Sequence, residues 1–221
     1  DNPTSSNTKI GSVKIVIRTS TASAAKSLNA SQNVKSGIAT ITSARVVIEK
    51  IKFQSSIDDT LDFRFRQSFI QDLTVGSNVH VIETVQVPFG SYKESEIEID
   101  DLDPEDGAVY TQNPELQDLS ILVKGFVNDD PNQNFIFTSD LSEEQEKEFN
   151  PPLVLDENSP STNVVLFINM EQWFVDQNGN PLDPRSPANK EIIEDNIKAS
   201  IDVFEDHDDD GKRDDGDEDD D

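Results

Sequence analysis

Apolar residues recur at every second position along much of this chain, which is the pattern of strands that bury one face. Val13, Ile15 and Ile17 share one face of a first strand, and similar alternation marks residues 38–53 and 92–100. Segments rich in Gly, Pro, Asn and Asp separate these stretches and indicate turns. The pattern therefore predicts a protein built mainly from strands.

Three segments depart from this alternation. Residues 163–170 are almost continuously apolar, which indicates a central strand covered on both faces. Residues 101–116 are polar and rich in Asp, Pro and Asn, so we expect a loop there. Residues 142–148 form an acidic stretch, for which we predict one short helical turn.

A different spacing of apolar residues predicts one helix, over residues 187–204. Its stripe recurs at intervals of four, four and three and consists of Ile193, Ile197, Ile201 and Phe204. Ser186 is suited to cap this helix, and Pro187 is suited to its first position. We expect the stripe to dock on the strands.

These elements predict an all-β fold, a two-sheet antiparallel β-sandwich of transthyretin-like or immunoglobulin-like type, with one C-terminal helix and an acidic tail. About eight or nine short strands fit such a sandwich. We divide the chain into a flexible N-terminal tether (1–10), the β-sandwich domain (11–185), an amphipathic helix packed on it (186–205) and the tail (206–221).

The acidic tail places its carboxylates as a loop does when it wraps one hard cation. Gly211 stands at loop position 6, where the backbone must turn sharply. Carboxylates at positions 1, 3, 5, 9 and 12 and a backbone carbonyl at position 7 would supply the oxygen ligands, in residues Asp206, Asp208, Asp210, Asp214, Asp217 and Lys212 respectively. We therefore predict a Ca²⁺ site, since calcium takes about six to eight oxygen ligands.

This spacing resembles a thrombospondin type 3 calcium repeat, and it departs from an EF-hand. An EF-hand normally has an aliphatic residue at position 8 and Glu at position 12, whereas here Arg213 and Asp217 stand there. The shorter Asp at position 12 predicts weak binding, in the ~10⁻⁴–10⁻³ M range of extracellular modules. The alternative interpretation is a plain acidic tail that is only solvated.

Charge narrows the choice of partners. The chain carries 45 acidic and 18 basic residues, a net charge of −27. Such a surface repels phosphate, so we expect neither nucleic acid nor an anionic bilayer as partner. The proteome of a salt-adapted organism is an alternative explanation for the acidity. No stretch of about 18 apolar residues occurs, so the sequence predicts no transmembrane segment.

The order of several blocks resembles a family of envelope proteins. The blocks cover residues 41–51, 72–75, 87–93, 123–126, 135–138, 164–170 and 173–174. Together they resemble the prealbumin-type (transthyretin-like) β-sandwich lipoproteins of Bacteroidota, the DUF4382-like group, over residues ~10–185. The resemblance implies a secreted or outer-membrane lipoprotein with no established catalytic role. It also implies a lipid anchor upstream of Asp1.

The sequence offers no convincing catalytic constellation, and we expect a protein that is not an enzyme. It has no cysteine, no Gly-x-Ser-x-Gly elbow and no phosphate-binding loop. Its two histidines, His80 and His207, are better explained as a strand-rim residue and an outward-pointing loop residue. Paired carboxylates leave a hydrolase open as an alternative.

Two further features carry alternatives. Acidic loops at residues 100–106 and 129–130 are either solvated or further calcium sites. Neither has the spacing of the tail, in which acids at loop positions 1, 3 and 5 are followed by a glycine. Trp173 is either a core residue or part of a sugar-stacking platform with the other aromatic candidates, Phe174, Tyr92 and Tyr110.

We therefore expect an extracellular or cell-surface protein with a structural or assembly role in the cell envelope, a surface complex or a filament. Calcium is its expected ligand, and a protein partner or self-assembly at the surface is its expected interaction. The alternative function is an accessory glycan- or peptide-binding lipoprotein of an outer-membrane nutrient-uptake system.

Overall fold

Two β-sheets pack face to face in this computed structural model, which describes residues 9–19, 33–73 and 79–206, with the backbone alone for residues 79–83. The strands of the described residues are β1 (Ile10–Thr19), β2 (Val34–Ser36), β3 (Ala39–Ser55), β4 (Phe63–Phe65), β5 (Phe69–Asp72), β6 (Val79–Pro88), β7 (Gly90–Ile99), β8 (Ile121–Val127), β9 (Asn134–Ser139), β10 (Glu143–Leu155), β11 (Ser161–Ile168) and β12 (Ile201–Glu205). The helices are α1 (Ala108–Gln112) and α2 (Lys190–Ala199), and 3₁₀ turns span Asp59–Leu61, Pro104–Asp106, Met170–Gln172 and Pro187–Asn189. This architecture confirms the predicted all-β, two-sheet sandwich.

The smaller sheet has four strands in the order β12-β11-β1-β6. Its central pair, β1 and β11, is parallel, with Ile15 opposite Val164. The prediction of antiparallel pairing is therefore wrong for this one pair. Antiparallel pairing was expected because short connections force it, but β1 and β11 are far apart in the chain and no short connection constrains them.

The larger sheet has eight strands, and β3 organises it. Its main order is β10-β7-β3-β8-β9, and the short strands β2, β4 and β5 also pair with β3. β3 is 17 residues long. Its register shifts between Ile41 and Ser43 and between Ile48 and Lys50. Such bulges bend a long strand, and this allows one strand to serve several partners.

The hydrophobic core lies between the two sheets. Alternate residues of β1 and β11 enter it, including Ile15 and Leu166, and the large sheet contributes residues such as Ile48 and Ile97. A second cluster lies on the opposite face of the small sheet and contains Val16, Val165 and Phe204. β11 is thus buried on both faces, which confirms the prediction for residues 163–170.

The C-terminal helix is shorter than predicted. α2 ends at Ala199, and residues 201–205 form strand β12, which pairs antiparallel with β11. The predicted stripe is correct at Ile193 and Ile197, which are buried. The interval from Ile201 to Phe204 suited a helix, but pairing with β11 satisfies the backbone and alternates Ile201 and Val203 into the core.

Two other predictions of local structure are wrong. Residues 143–155 form strand β10 instead of a helical turn, because their backbone pairs with β7. The predicted loop at 101–116 contains a 3₁₀ turn and the short helix α1. Ser186 precedes the 3₁₀ turn Pro187–Asn189, but its side chain makes no capping hydrogen bond.

Candidate calcium sites

The first residue of the predicted calcium loop, Asp206, follows directly on β12. Its backbone N–H donates to the carbonyl of Asn163, with an N–O distance of 3.2 Å. The Asn163 amide in turn donates to the Asp206 carbonyl, also at 3.2 Å. The chain therefore enters the acidic motif from the edge strand of the small sheet, and not from a helix end as predicted.

The carboxylate of Asp206 is buried against a cation of the protein itself. Its side chain is 1% exposed, and one oxygen lies 3.2 Å from a guanidinium nitrogen of Arg18 on β1. A buried carboxylate needs such compensation, because desolvation of an unpaired charge is costly. Calcium bound by Asp206 would have to compete with Arg18. No sequence signal pointed to Arg18, since it lies 188 residues earlier in the chain.

The other five predicted ligands fall outside the described residues. These are Asp208, Asp210, Lys212, Asp214 and Asp217, and His207 lies with them. The structure therefore places the start of the loop only, and the ligand set stays a prediction.

A second group of carboxylates surrounds a cleft of about 550 Å³ beside the large sheet, here called the acidic cleft. Oxygens of Glu49, Glu98 and Asp100 lie within 4.8 Å of one another there. The cleft also includes acids of the 100–106 segment, one of the two further calcium candidates. Sequence reasoning missed Glu49 and Glu98, which reach the cleft from β3 and β7.

Like charges in this cleft disfavour ionisation. Glu49 is exposed, but the surrounding protein partly desolvates its carboxylate, which raises its pKa, and the neighbouring Glu98, Asp100 and Asp106 raise the pKa further. Burial and the adjacent Asp100 likewise raise the pKa of Asp101. Lys50 and Arg66 also line the cleft, but they do not balance its acids. A cation entering the cleft would therefore be attracted.

Much of the acidity in the 100–106 segment has a structural explanation. Asp103 accepts the Glu105 N–H at 2.6 Å, and Asp106 accepts the Asp103 N–H at 3.0 Å. Together they form a capping box that begins the 3₁₀ turn Pro104–Asp106. The acidic cleft therefore does not identify a ligand by itself.

The acids at 129–130 serve a hairpin turn. Asp130 accepts the backbone and side-chain N–H of Asn132 and the side chain of Gln133, and these hydrogen bonds lower its pKa. Asp129 pairs with Lys35. Both carboxylates are thus held by donors of the protein, which favours the solvated-loop interpretation of this segment.

Two lysines of β3 lie among the glutamates of the neighbouring strands β7 and β10 on the large sheet. Lys50 contacts Glu96, Glu98 and Glu144, and Lys52 contacts Glu96 at 3.1 Å. Burial alone would raise the pKa of Glu96, but hydrogen bonds from the two lysines outweigh it and lower the pKa. These groups form a cross-strand ion network that holds β3, β7 and β10 together.

The aromatic residues proposed for sugar stacking lie mostly in the core. Trp173 is 1% exposed, and its indole N–H donates to the Ser200 hydroxyl at 2.8 Å. Phe174 and Tyr92 are also buried, and the Tyr92 hydroxyl donates to the Pro88 carbonyl. Because these three rings are buried, they cannot stack on a ligand, and the hypothesis that they form a sugar-stacking platform is wrong. The side chain of His80 lies outside the described part.

Comparison of the chain with models of protein families, with curated proteins and with solved structures gave no match in any of the three. The resemblances noted from the sequence therefore stay predictions. Among the residues that the structure describes, no helix has both the length and the apolar character needed to cross a bilayer.

Proposed function

We propose that this protein is a non-enzymatic structural module of the cell surface whose C-terminal loop binds Ca²⁺. The observation that carries the proposal is the spacing of carboxylates at alternate positions around Gly211, beginning at Asp206. A merely acidic segment would have carboxylates at arbitrary positions. The glycine at loop position 6 and the carboxylates at positions 1, 3, 5, 9 and 12 together distinguish a calcium-binding loop from a segment that is only acidic.

The fixed position of Asp206 supports this proposal. Because Asp206 is hydrogen bonded to Asn163 at the end of β12, the loop starts from a rigid point on the small sheet. Ion binding would fasten the following residues beside this sheet and reduce the repulsion within the tail. The competing Arg18 is consistent with weak binding, in the ~10⁻⁴–10⁻³ M range typical of extracellular modules.

The assembly role follows from the same geometry. A tail ordered by calcium at the edge strand β12 lies where a second chain or a neighbouring domain could join it. The net charge of −27 disfavours nucleic acid as a partner, and it also opposes contact between two copies unless bound Ca²⁺ neutralises part of the tail. An extracellular or outer-membrane location belongs to this proposal because millimolar calcium occurs outside cells.

The test compares two double variants with equal changes of charge. Asp208→Ala with Asp210→Ala removes two proposed ligands, whereas Asp209→Ala with Asp215→Ala removes acids at positions that do not face the ion. For a Kd of ~10⁻³ M, ~10 mM Ca²⁺ should stabilise the protein by roughly 1.4 kcal/mol and raise its Tm by about 3–6 °C. We expect the ligand variant to lose this rise and the control variant to keep it.

An equal response of both variants would show a plain polyanion and overturn the calcium loop. Calorimetric titration with Ca²⁺ gives the stoichiometry, and one ion per chain is expected. The assembly role is checked separately by sedimentation velocity, with and without Ca²⁺. A mass that stays monomeric in both conditions would contradict it.

A further inference from the structure

A second cavity lies on the small sheet, at the end of β11 and the beginning of β12, beside the C-terminal end of α2. This cavity, here called the amide cavity, has a volume of about 490 Å³. This lies within the ~300–1,000 Å³ range of small-molecule sites. Side-chain amides dominate its polar lining, namely Asn169, Gln172, Gln177 and Asn196. The amide cavity differs chemically from the acidic cleft, because most of its polar side chains are uncharged.

One of these amides is held in a fixed orientation. The Asn196 side chain donates to the backbone carbonyls of Trp173, at 3.1 Å, and Val175, at 2.6 Å. The NH₂ group is therefore engaged, and Oδ1 is the atom of this cavity-lining amide that can accept a hydrogen bond. Gln172 and Gln177 are exposed, so their amides can both donate and accept.

The charges around the cavity disfavour an anionic ligand. None of the described residues that line it is Lys, Arg or His. Two carboxylates are present, but Asp176 is engaged in its own turn. It accepts the N–H groups of Asn178 and Asn180, each at 2.8 Å, and the Asn180 side chain at 2.8 Å. Asp202 accepts the N–H of Val203 at 2.9 Å.

The remaining lining is apolar. Phe167 lies on the outer face of β11 and is half-buried, and Asp202 stands opposite it on β12. Val175 and Ala199 add further apolar surface. The cavity therefore combines an apolar wall with groups that donate and accept hydrogen bonds side by side. Vicinal hydroxyls of a sugar ring match such groups, and the C–H face of the ring matches the apolar wall.

We propose that the amide cavity binds a neutral saccharide, one or two rings in size. Phe167 and Val175 would contact the ring face, and Asn196, Gln172 and Gln177 would bind its hydroxyls. This inference goes beyond the proposed function, because it involves neither the acidic tail nor calcium. Its ligand class differs from an acidic peptide, because none of the described lining residues is a Lys, Arg or His that could pair with a carboxylate.

The test uses the full chain in the presence of EDTA, so that its outcome does not depend on calcium. Titration calorimetry and saturation-transfer NMR would screen neutral oligosaccharides built from glucose, mannose, xylose and N-acetylglucosamine. Oligogalacturonate and a sulfated disaccharide provide the anionic comparison. We expect at least one neutral member to bind with a Kd near ~1 mM or below, and the anionic probes to bind at least tenfold more weakly.

Two variants of α2 make the location testable. Ala199→Trp fills the cavity from an exposed position, and Ile192→Trp places the same ring on an exposed position of the same helix that does not line it. We expect the first to weaken binding at least tenfold and the second to leave it unchanged. No binding of any neutral probe at ~10 mM, preference for an anionic probe, or equal binding by both variants would overturn the proposal.

Discussion

Arg18 and Asp206 link β1, the first described strand of the small sheet, to the first residue of the acidic tail. The guanidinium lies 3.2 Å from the carboxylate, and the two side chains are 19% and 1% exposed. β11 separates their strands, β1 and β12, in the sheet. The pair therefore connects β1 with the end of β12, the two neighbours of β11, and fixes the point at which the tail begins.

Removal of Arg18 is expected to destabilise the fold. Arg18→Ala breaks the buried ion pair with Asp206, and removing one partner of such a pair costs roughly 3–5 kcal/mol when it is fully buried. Because Arg18 is partly exposed, we expect a value near the lower end, about 3 kcal/mol. Urea unfolding measures the change.

A surface ion pair provides the control for this variant. Arg185 pairs with Asp183 at 2.7 Å, and both side chains are more than a third exposed. Arg185→Ala should therefore cost less than about 1 kcal/mol. If the Arg18 variant were as stable as the Arg185 variant, the buried pair would not hold the small sheet as described.

Stability should peak at mildly acidic pH. The pKa values of Glu49 and Asp101 are raised, so the folded state binds these protons more tightly than the unfolded chain. The resulting penalty is fully present at neutral pH and disappears as the pH falls through the raised values. Glu96 has the opposite sign. Its lowered pKa gives stability above the ordinary value of 4.5 that is lost as the pH falls further.

Urea unfolding from about pH 3 to about pH 8 tests this profile. We expect stability to rise from neutral pH toward about pH 5 and to fall below about pH 4. Glu49→Gln should be more stable than the wild type at pH 7 and should flatten the rise, whereas the control Glu191→Gln, which changes an exposed acid outside the acidic cleft, should not. A profile that rises steadily toward pH 8 would show that the acidic cleft carries no penalty.

The strand pattern of this chain was readable because most strands bury one face. Val13, Ile15 and Ile17 were assigned correctly from alternation alone. The region around Glu143 was not, because its Glu and Lys residues favour helix in isolation and only the pairing with β7 makes it a strand. Tertiary hydrogen bonding overrides local propensity there, and no local pattern reports it.

The candidate sites were predictable to a different extent. The segment 100–106 was visible as an acidic run, but its neighbours Glu49 and Glu98 come from strands distant in sequence. Arg18 was invisible for the same reason. The amide cavity had no sequence signature either, since Asn196, Gln177 and Phe167 are brought together where α2 packs beside β12 and the Met170–Gln172 turn. Motifs local in sequence could be proposed, and clusters created by the fold could not.

The hydrogen bond from Trp173 to Ser200 should stabilise the junction between α2 and β12. The Ser200 hydroxyl accepts the indole N–H and donates to the Ile197 carbonyl at 2.7 Å. Ser200→Ala leaves the buried indole N–H unsatisfied, which costs about 1–3 kcal/mol. Trp173 is the only Trp in the chain, so its fluorescence reports unfolding directly.

Ser186→Ala is the matched control for this variant. Ser186 makes no side-chain capping bond, so its replacement should change stability by no more than about 0.5 kcal/mol. A large loss of stability in Ser186→Ala would instead support the predicted helix cap at Ser186. An effect at Ser200 as small as that control would mean that the buried hydrogen bond contributes nothing.

Gly125 allows β8 to approach β3 more closely than any side chain would permit. A Cβ at this position would lie 2.1 Å from the Thr40 carbonyl oxygen and 2.9 Å from a ring carbon of Phe135. The carbonyl belongs to the paired backbone of β3, so it cannot move without breaking the sheet. Gly125→Ala should cost about 3 kcal/mol or more, at or above the upper end of overpacking effects.

Gly90 is the appropriate comparison, because its nearest neighbour to an added Cβ is a Tyr92 ring atom at 3.6 Å. Gly90→Ala should be neutral or stabilise the fold by up to about 1 kcal/mol, since it restricts only the unfolded chain. Urea unfolding followed by Trp173 fluorescence measures both variants. We expect a large loss of stability for Gly125→Ala and no loss for Gly90→Ala, because an added Cβ would meet the β3 backbone at the first position and only ordinary van der Waals contact at the second. Equal stability of the two variants would contradict the close approach of β8 to β3.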